Sequence, residues 1–74
     1  MAWQHHIERR PDVLGGKPVI RGTRIAVEMI LQDLAAGATI DDLLISYPTL
    51  AKEHIKAALD FRVSQIDTDP DRAA

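Results

Sequence analysis

The sequence predicts a mainly α domain of three short helices, the last two forming a helix-turn-helix, preceded by a short β-ribbon. The glycine-rich stretch 15–25 holds short β-branched runs around a candidate two-residue turn, which is typical of a ribbon. After Ile25, apolar residues recur at spacings of three and four, as in amphipathic helices. About three residues, Pro48-Thr49-Leu50, separate the last two helices, a separation that fits a helix-turn-helix.

The β-ribbon is expected within residues 4–26. Val19-Ile20-Arg21 and Arg24-Ile25-Ala26 are interpreted as its two strands, because both contain β-branched side chains. Gly22-Thr23 joins them, since glycine supplies the positive φ that a two-residue turn needs. Pro18 has no N–H to donate, so it is expected to open an edge strand.

A further short strand is predicted from Gln4 to Arg9, upstream of the ribbon. Trp3 and Ile7 are four residues apart, an even spacing that puts both on one face of a strand. Val13 and Leu14 are expected to enter the core as the chain turns towards the double glycine.

The first two helices are expected at Ala26–Ala36 and at Ile40–Tyr47. Gly37 is well placed as the left-handed residue that ends the first helix. Thr39 is a good N-cap for the second helix, which Pro48 stops. The buried stripes are predicted to consist of Ile25, Met29, Ile30 and Leu34 in the first helix and Leu43, Leu44 and Tyr47 in the second.

The third helix is expected to start just after Thr49, which can cap it, and to continue to about Gln65. Residues 1–66 therefore form one domain, with the helices at about 26–66. Residues 67–74 lack large apolar side chains and are expected to be a disordered acidic tail.

Length and composition favour a small soluble binding protein. The chain has 74 residues and no cysteine, so neither disulfides nor thiolate metal sites can support it. Oligomerisation is the remaining common support, and we expect a homodimer or a partner complex. No signal peptide or membrane span is recognisable, so a cytoplasmic location is expected.

Charge is distributed unevenly along the chain, whose net charge is −2. Residues 1–25 carry five basic and two acidic side chains, whereas residues 26–74 carry four basic and nine acidic ones. This asymmetry suggests an anionic partner near the N-terminal half, although charges that simply follow solvent exposure would look the same.

The start of the third helix is the candidate DNA-reading surface. In a helix-turn-helix the second helix lies in the major groove, and its N-terminal residues reach base edges. Those residues are Thr49, Lys52, Glu53 and Lys56. Lysine can contact guanine or phosphate, threonine can contact phosphate or the thymine methyl, and glutamate can accept from cytosine. The same four residues would also suit an ordinary solvated face of a packing unit.

Basic residues of the ribbon form a second candidate contact. Lys17, Arg21 and Arg24 can hold DNA phosphates or a partner's carboxylates, or can keep a strand edge from pairing at random. They do not form a P-loop, because Pro18 follows Lys17 where that motif needs serine or threonine.

The sequence predicts no catalytic site, no metal site and no cofactor. His5 and His6 are adjacent, so on a strand they would face opposite sides, and His54 is isolated on the third helix. No serine lies at a suggestive distance from a base. We therefore expect the protein not to be an enzyme.

The most specific signal is a resemblance in three blocks. Residues 16–27, Gly-Lys-Pro-Val-Ile-Arg-Gly-Thr-Arg-Ile-Ala-Val, closely resemble the signature of the bacterial domain of unknown function 433. Leu34-Ala35-Ala36-Gly37 followed by residues 39–44 is similar to its second block, and Tyr47-Pro48 with residues 55–59 to its third. The resemblance covers roughly residues 7–66 without gaps.

The resemblance implies a homeodomain-like helix-turn-helix domain of a bacterial or archaeal cytoplasmic protein. Many relatives look like antitoxins of type II toxin–antitoxin pairs, encoded beside a nuclease-like toxin with a PIN-type fold. Such antitoxins bind the toxin and, as dimers, often bind their own operator DNA. The rival interpretation is a protein-interaction module that does not touch DNA, which the acidic helical part and the Asp-rich tail favour.

Overall fold

The computed structural model describes residues 3–67 and confirms a mainly α fold with a short β-ribbon. Three helices lie beside a two-stranded antiparallel sheet. The elements are β1 (Ile7–Arg9), β2 (Pro18–Ile20), α1 (Val27–Ala35), α2 (Ile40–Ser46) and α3 (Lys52–Asp67), with 3₁₀ turns at Trp3–His5 and Leu14–Gly16. Apart from Asp67, where α3 ends, the tail predicted at 67–74 lies outside the described residues.

The strand that pairs with β2 differs from the one expected. β2 pairs with β1, with Ile7 opposite Ile20, whereas residues 24–26 contribute only one bridge, between Val19 and Ala26. The second strand predicted at 24–26 is therefore wrong. The reason is that α1 begins at Val27, which leaves no residues to extend the pairing.

The turn after β2 confirms the positive φ predicted at Gly22, but its two central residues are Arg21 and Gly22 and not Gly22 and Thr23. Gly22 has φ +78°, and the Thr23 N–H donates to the Ile20 carbonyl at 3.0 Å. The Thr23 hydroxyl donates to the same carbonyl at 2.8 Å and accepts from the Ile25 N–H at 3.0 Å. These bonds close a tight turn that delivers the chain directly to α1.

The N-terminal segment packs differently from the predicted strand at Gln4–Arg9. Only Ile7–Arg9 is extended, and Trp3–His5 forms a 3₁₀ turn against α3. The Trp3 ring meets the Phe61 ring edge-on, with 4.9 Å between centroids. This aromatic contact anchors the turn on the helix, which extended pairing would not allow.

Val13 and Leu14 separate at the double glycine. Val13 is buried, as predicted, but the expectation for Leu14 is wrong, because 43% of Leu14 is exposed. Its φ of +50° turns the backbone away from the core at this position.

The ends of α1 and α2 confirm the expected capping residues. Gly37 has φ +105°, and the Ala38 N–H donates to the Asp33 carbonyl, which is the Schellman pattern. Thr39 and Asp42 form a reciprocal capping box at the start of α2. The Thr39 backbone N–H, which donates to Asp42 Oδ2, lowers the pKa of Asp42, and the Thr39 side chain lowers it further.

The core lies where all five elements meet. Its fully buried larger side chains come from β2, α1, α2 and α3 and are Val19, Ile20, Val27, Ile30, Leu43 and Ile55. Phe61 of α3 is also buried. Among residues 3–67 no helix is both long enough and apolar enough to cross a membrane.

Candidate nucleic-acid interface

The link between α2 and α3 is longer than predicted. α2 ends at Ser46 and α3 begins at Lys52, so five residues separate the helices. Thr49 is therefore not the N-cap of α3, and that expectation is wrong. Leu50, in the middle of the link, is buried and donates its N–H to the Tyr47 carbonyl, which anchors the link against the core.

His54 caps α3 in place of Thr49. The Ala51 N–H donates to His54 Nδ1 at 2.9 Å, so the third residue of the helix reaches back to the residue before it. The His54 ring also meets the His6 ring edge-on, with 5.4 Å between centroids. The interpretation of His54 as isolated is therefore wrong. A helix start placed correctly at Lys52 would have indicated the His54 cap, because His54 is then the third helical residue, a position from which a side chain can reach back to the backbone before the helix.

Tyr47 fixes the link to α1. Its hydroxyl donates to Asp33 Oδ2 at 3.0 Å, across fourteen residues of sequence. This hydrogen bond is the main reason why the pKa of Tyr47 is raised above its ordinary value. Partial burial and the negative charge of Asp33 raise the pKa further. The bond therefore ties the end of α2, where the link begins, to the first helix.

We expect Tyr47→Phe to destabilise the domain by about 1 kcal/mol at neutral pH, because one partly buried hydrogen bond is lost. Since the folded-state pKa of Tyr47 is raised, its contribution is present below the ordinary tyrosine pKa of about 10 and is lost as the pH rises further. Urea denaturation between pH 8 and pH 11 measures this. The variant should lose less stability than wild type over that range, and identical losses would contradict the assignment.

The candidate DNA-reading residues lie together at the start of α3. Thr49, Lys52, Glu53 and Lys56 are all exposed. Lys52, Glu53 and Lys56 lie on one side of the helix, because they are one, three and four residues apart. Lys56 Nζ lies 3.4 Å from Asp60 Oδ2, an exposed pair that contributes little to stability. Within residues 3–67, Lys52 and Glu53 have no hydrogen-bond or ion-pair partner, so both can meet a ligand.

The basic residues around the ribbon do not form one site with this face. Lys17 Nζ lies 2.7 Å from Glu28 Oε1 on α1. Arg21 donates to the carbonyls of Gln4 and His5. Arg24 is exposed, and no described residue forms a hydrogen bond or ion pair with it.

Glu8 organises the ribbon cations, a role that the sequence pattern did not indicate. Its carboxylate lies 3.3 Å from Arg10 Nε and 3.5 Å from Arg21 Nη1, and it accepts from the Gly22 N–H at 2.9 Å. Arg21 is therefore engaged in holding the ribbon turn, which leaves Arg24 as the uncommitted cation of the three candidates.

No group of three or more histidine or acidic side chains among the described residues is arranged to hold a metal ion. Exposed cations that have no partner among the described residues include Lys52 at the start of α3, Arg24 after the ribbon and Arg62 further along α3. Hydrogen-bond donors of this kind suit a polyanion, and Lys52 lies at a helix start beside a second helix.

The fold and the exposed start of α3 define a small three-helix domain with a β-ribbon. The family described as "Protein of unknown function (DUF433)" matches residues 7–61, and the chain belongs to that family. The predicted family resemblance is thereby confirmed.

Two relatives show how far the similarity extends. The uncharacterized protein y4eO of Sinorhizobium fredii is 44% identical over 48 residues, which make up 65% of this chain and 22% of that protein. The match thus spans about a fifth of that relative's length. A crystal structure of a DUF433 member protein from Anabaena variabilis superposes with a TM-score of 0.80 and 33% identity, covering 96% of this chain and 71% of that one.

Proposed function

We propose that this protein is the cytoplasmic antitoxin of a type II toxin–antitoxin pair, which binds its own operator DNA as a homodimer and also binds a PIN-like nuclease toxin. The role is one of binding and not of catalysis. In this proposal Thr49, Lys52, Glu53 and Lys56 contact bases or phosphates in the major groove. Arg24, and secondarily Lys17 and Arg21, contact flanking phosphates or the toxin.

The observation that supports this proposal is the unpaired start of α3. Lys52 and Glu53 are exposed and have no partner among residues 3–67, whereas most other described charged groups near the ribbon are engaged. The Tyr47–Asp33 bond holds the link to α1, and the His54 cap fixes the first turn of α3. Such pre-organisation lowers the entropy that is lost on binding.

The modest number of cations sets the expected strength of binding. Each neutralised phosphate contributes about 0.9 to the slope of log K against log salt. With Lys52 and Lys56 as the main contacts, one protomer gives a small slope, and a dimer doubles it. Because a dimer presents two copies of α3, the operator is expected to carry two half-sites about one helical turn apart.

Fluorescence anisotropy at two salt concentrations tests the DNA-binding role, with the gene's own upstream DNA and a scrambled duplex as probes. We expect preferential, salt-sensitive binding to the upstream DNA. A folded protein that binds neither duplex would overturn operator binding and favour the protein-interaction module. Co-purification with the product of an adjacent nuclease-like gene tests the toxin partner separately.

A further inference from the structure

Leu14 combines backbone strain with an exposed aliphatic side chain. Its φ of +50° lies in the left-handed region, which disfavours residues other than glycine, asparagine and aspartate. The two glycines that follow also have positive φ, and 43% of the leucine remains exposed. Neither core packing nor the turn itself requires a leucine here, and strain of this kind is often kept where a contact is made.

Two hollows share a rim formed by Lys17 and Glu28, and Leu14 lines one of them. One has a volume of about 280 Å³ and apolar walls formed by Pro18, Val27, Leu31 and Phe61. The other is lined by Leu14 and Met29, and Lys17 and Glu28 border both. An apolar cavity of about 150 Å³ holds benzene, so the first hollow has room for a leucine side chain.

The charges around these hollows are matched to a second copy of the same surface. Lys17 and Glu28 are the charged side chains in both linings, and they pair at 2.7 Å. The surface is therefore neutral, although residues 26–74 as a whole are acidic. A two-fold axis passing through this pair would bring the lysine of one copy towards the glutamate of the other, which would make the surface complementary to itself.

We propose that two copies of this chain associate through this surface, with Leu14 of each copy entering the apolar hollow of the other. The inference rests on the homodimer of the proposed function and names its interface. It also gives the small domain additional buried apolar surface, which chains of this size commonly obtain by association.

Sedimentation equilibrium of the full chain tests this interface with the variants Leu14→Asn and Met29→Gln. Asparagine tolerates positive φ, so Leu14→Asn removes the aliphatic contact without adding backbone strain. We expect Leu14→Asn to raise the dimer dissociation constant at least tenfold and to leave the Tm of the dilute monomer unchanged or higher. The matched control is Ile45→Gln, because Ile45 is 78% exposed on α2 and lines neither hollow.

Three outcomes would overturn the interface: a wild-type chain that is monomeric throughout, a control that dissociates as readily as Leu14→Asn, or a loss of monomer Tm in Leu14→Asn. Charge exchange gives a second test. Lys17→Glu and Glu28→Lys should each weaken self-association, whereas a mixture of the two variants should form heterodimers. A mixture that does not associate would contradict the shared rim.

The interface and the DNA-binding role fail in distinguishable ways. Wild-type protein that dimerises through Leu14 but binds no upstream DNA supports the interface and overturns operator binding. If the interface is correct and DNA is bound, Leu14→Asn should lose the cooperative binding of two half-sites but keep binding to one. Cooperative binding that survives this substitution would overturn the interface.

Discussion

Replacing Ile55 with alanine is expected to destabilise the domain by about 3 kcal/mol. Ile55 is completely buried at the point where α3 meets the rest of the core. The cost combines lost transfer free energy with the cavity that remains, because neighbouring side chains collapse only partly. A domain of this length has a total stability of roughly 4–11 kcal/mol at 0.05–0.15 kcal/mol per residue, so this loss is a large fraction.

Urea denaturation measures the effect, and Ile45→Ala is the control. Ile45 carries the same side chain on a neighbouring helix but is 78% exposed, so its replacement should change stability by no more than about 0.5 kcal/mol. Similar midpoints for the two variants would contradict the packing described for α3. Because Ile55 holds the helix that carries Lys52, its replacement should also weaken any DNA binding by populating unfolded protein.

The double substitution Lys52→Ala with Lys56→Ala is expected to weaken binding to upstream DNA on the order of 30-fold per protomer. Two exposed phosphate contacts at about 1 kcal/mol each give this value. The salt slope should fall by about 1.8 per protomer, at about 0.9 for each phosphate. Both lysines are exposed, so folding should change little, which the thermal transition can check.

Arg62→Ala is the matched control for each single lysine substitution. Arg62 is an exposed cation on the same helix, turned roughly 80–120° away from the lysine face at 100° per residue. Its removal changes the net charge as Lys52→Ala does but should leave the salt slope unchanged. Equal effects of Arg62→Ala and Lys52→Ala would show that DNA binding depends on the overall charge of the protein and not on contacts at the start of α3.

The sequence predicted those parts of the fold that local chemistry determines. Gly37 ends α1, and Thr39 with Asp42 caps α2, because these residues satisfy backbone groups within one helical turn. The turn at Gly22 was also predictable, since positive φ is a local requirement. Family blocks that span the ribbon and the helices supplied the order of the elements.

The remaining features depend on contacts between distant residues. β2 pairs with Ile7–Arg9, because the hydrophobic core and not the nearest turn selects the partner strand. The Trp3–Phe61 contact and the Tyr47–Asp33 hydrogen bond likewise join residues far apart in sequence. At the candidate interface, Thr49 and the three candidate residues of α3 were found from the predicted helix-turn-helix, but the engagement of Arg21 by Glu8 was not.

Site-directed cleavage of DNA tests the central claim, that the start of α3 lies in the major groove, most directly. The chain has no cysteine, so Leu59→Cys provides a single attachment point for a metal-chelate cleavage reagent, and Ile45→Cys provides a control on α2. Leu59 is 40% exposed on the same face of α3 as Lys52 and Lys56 and is not itself a proposed contact. We expect cleavage of upstream DNA from position 59 at two sites about one helical turn apart. Cleavage that is absent, or equally strong from position 45, would contradict the placement of α3 on DNA.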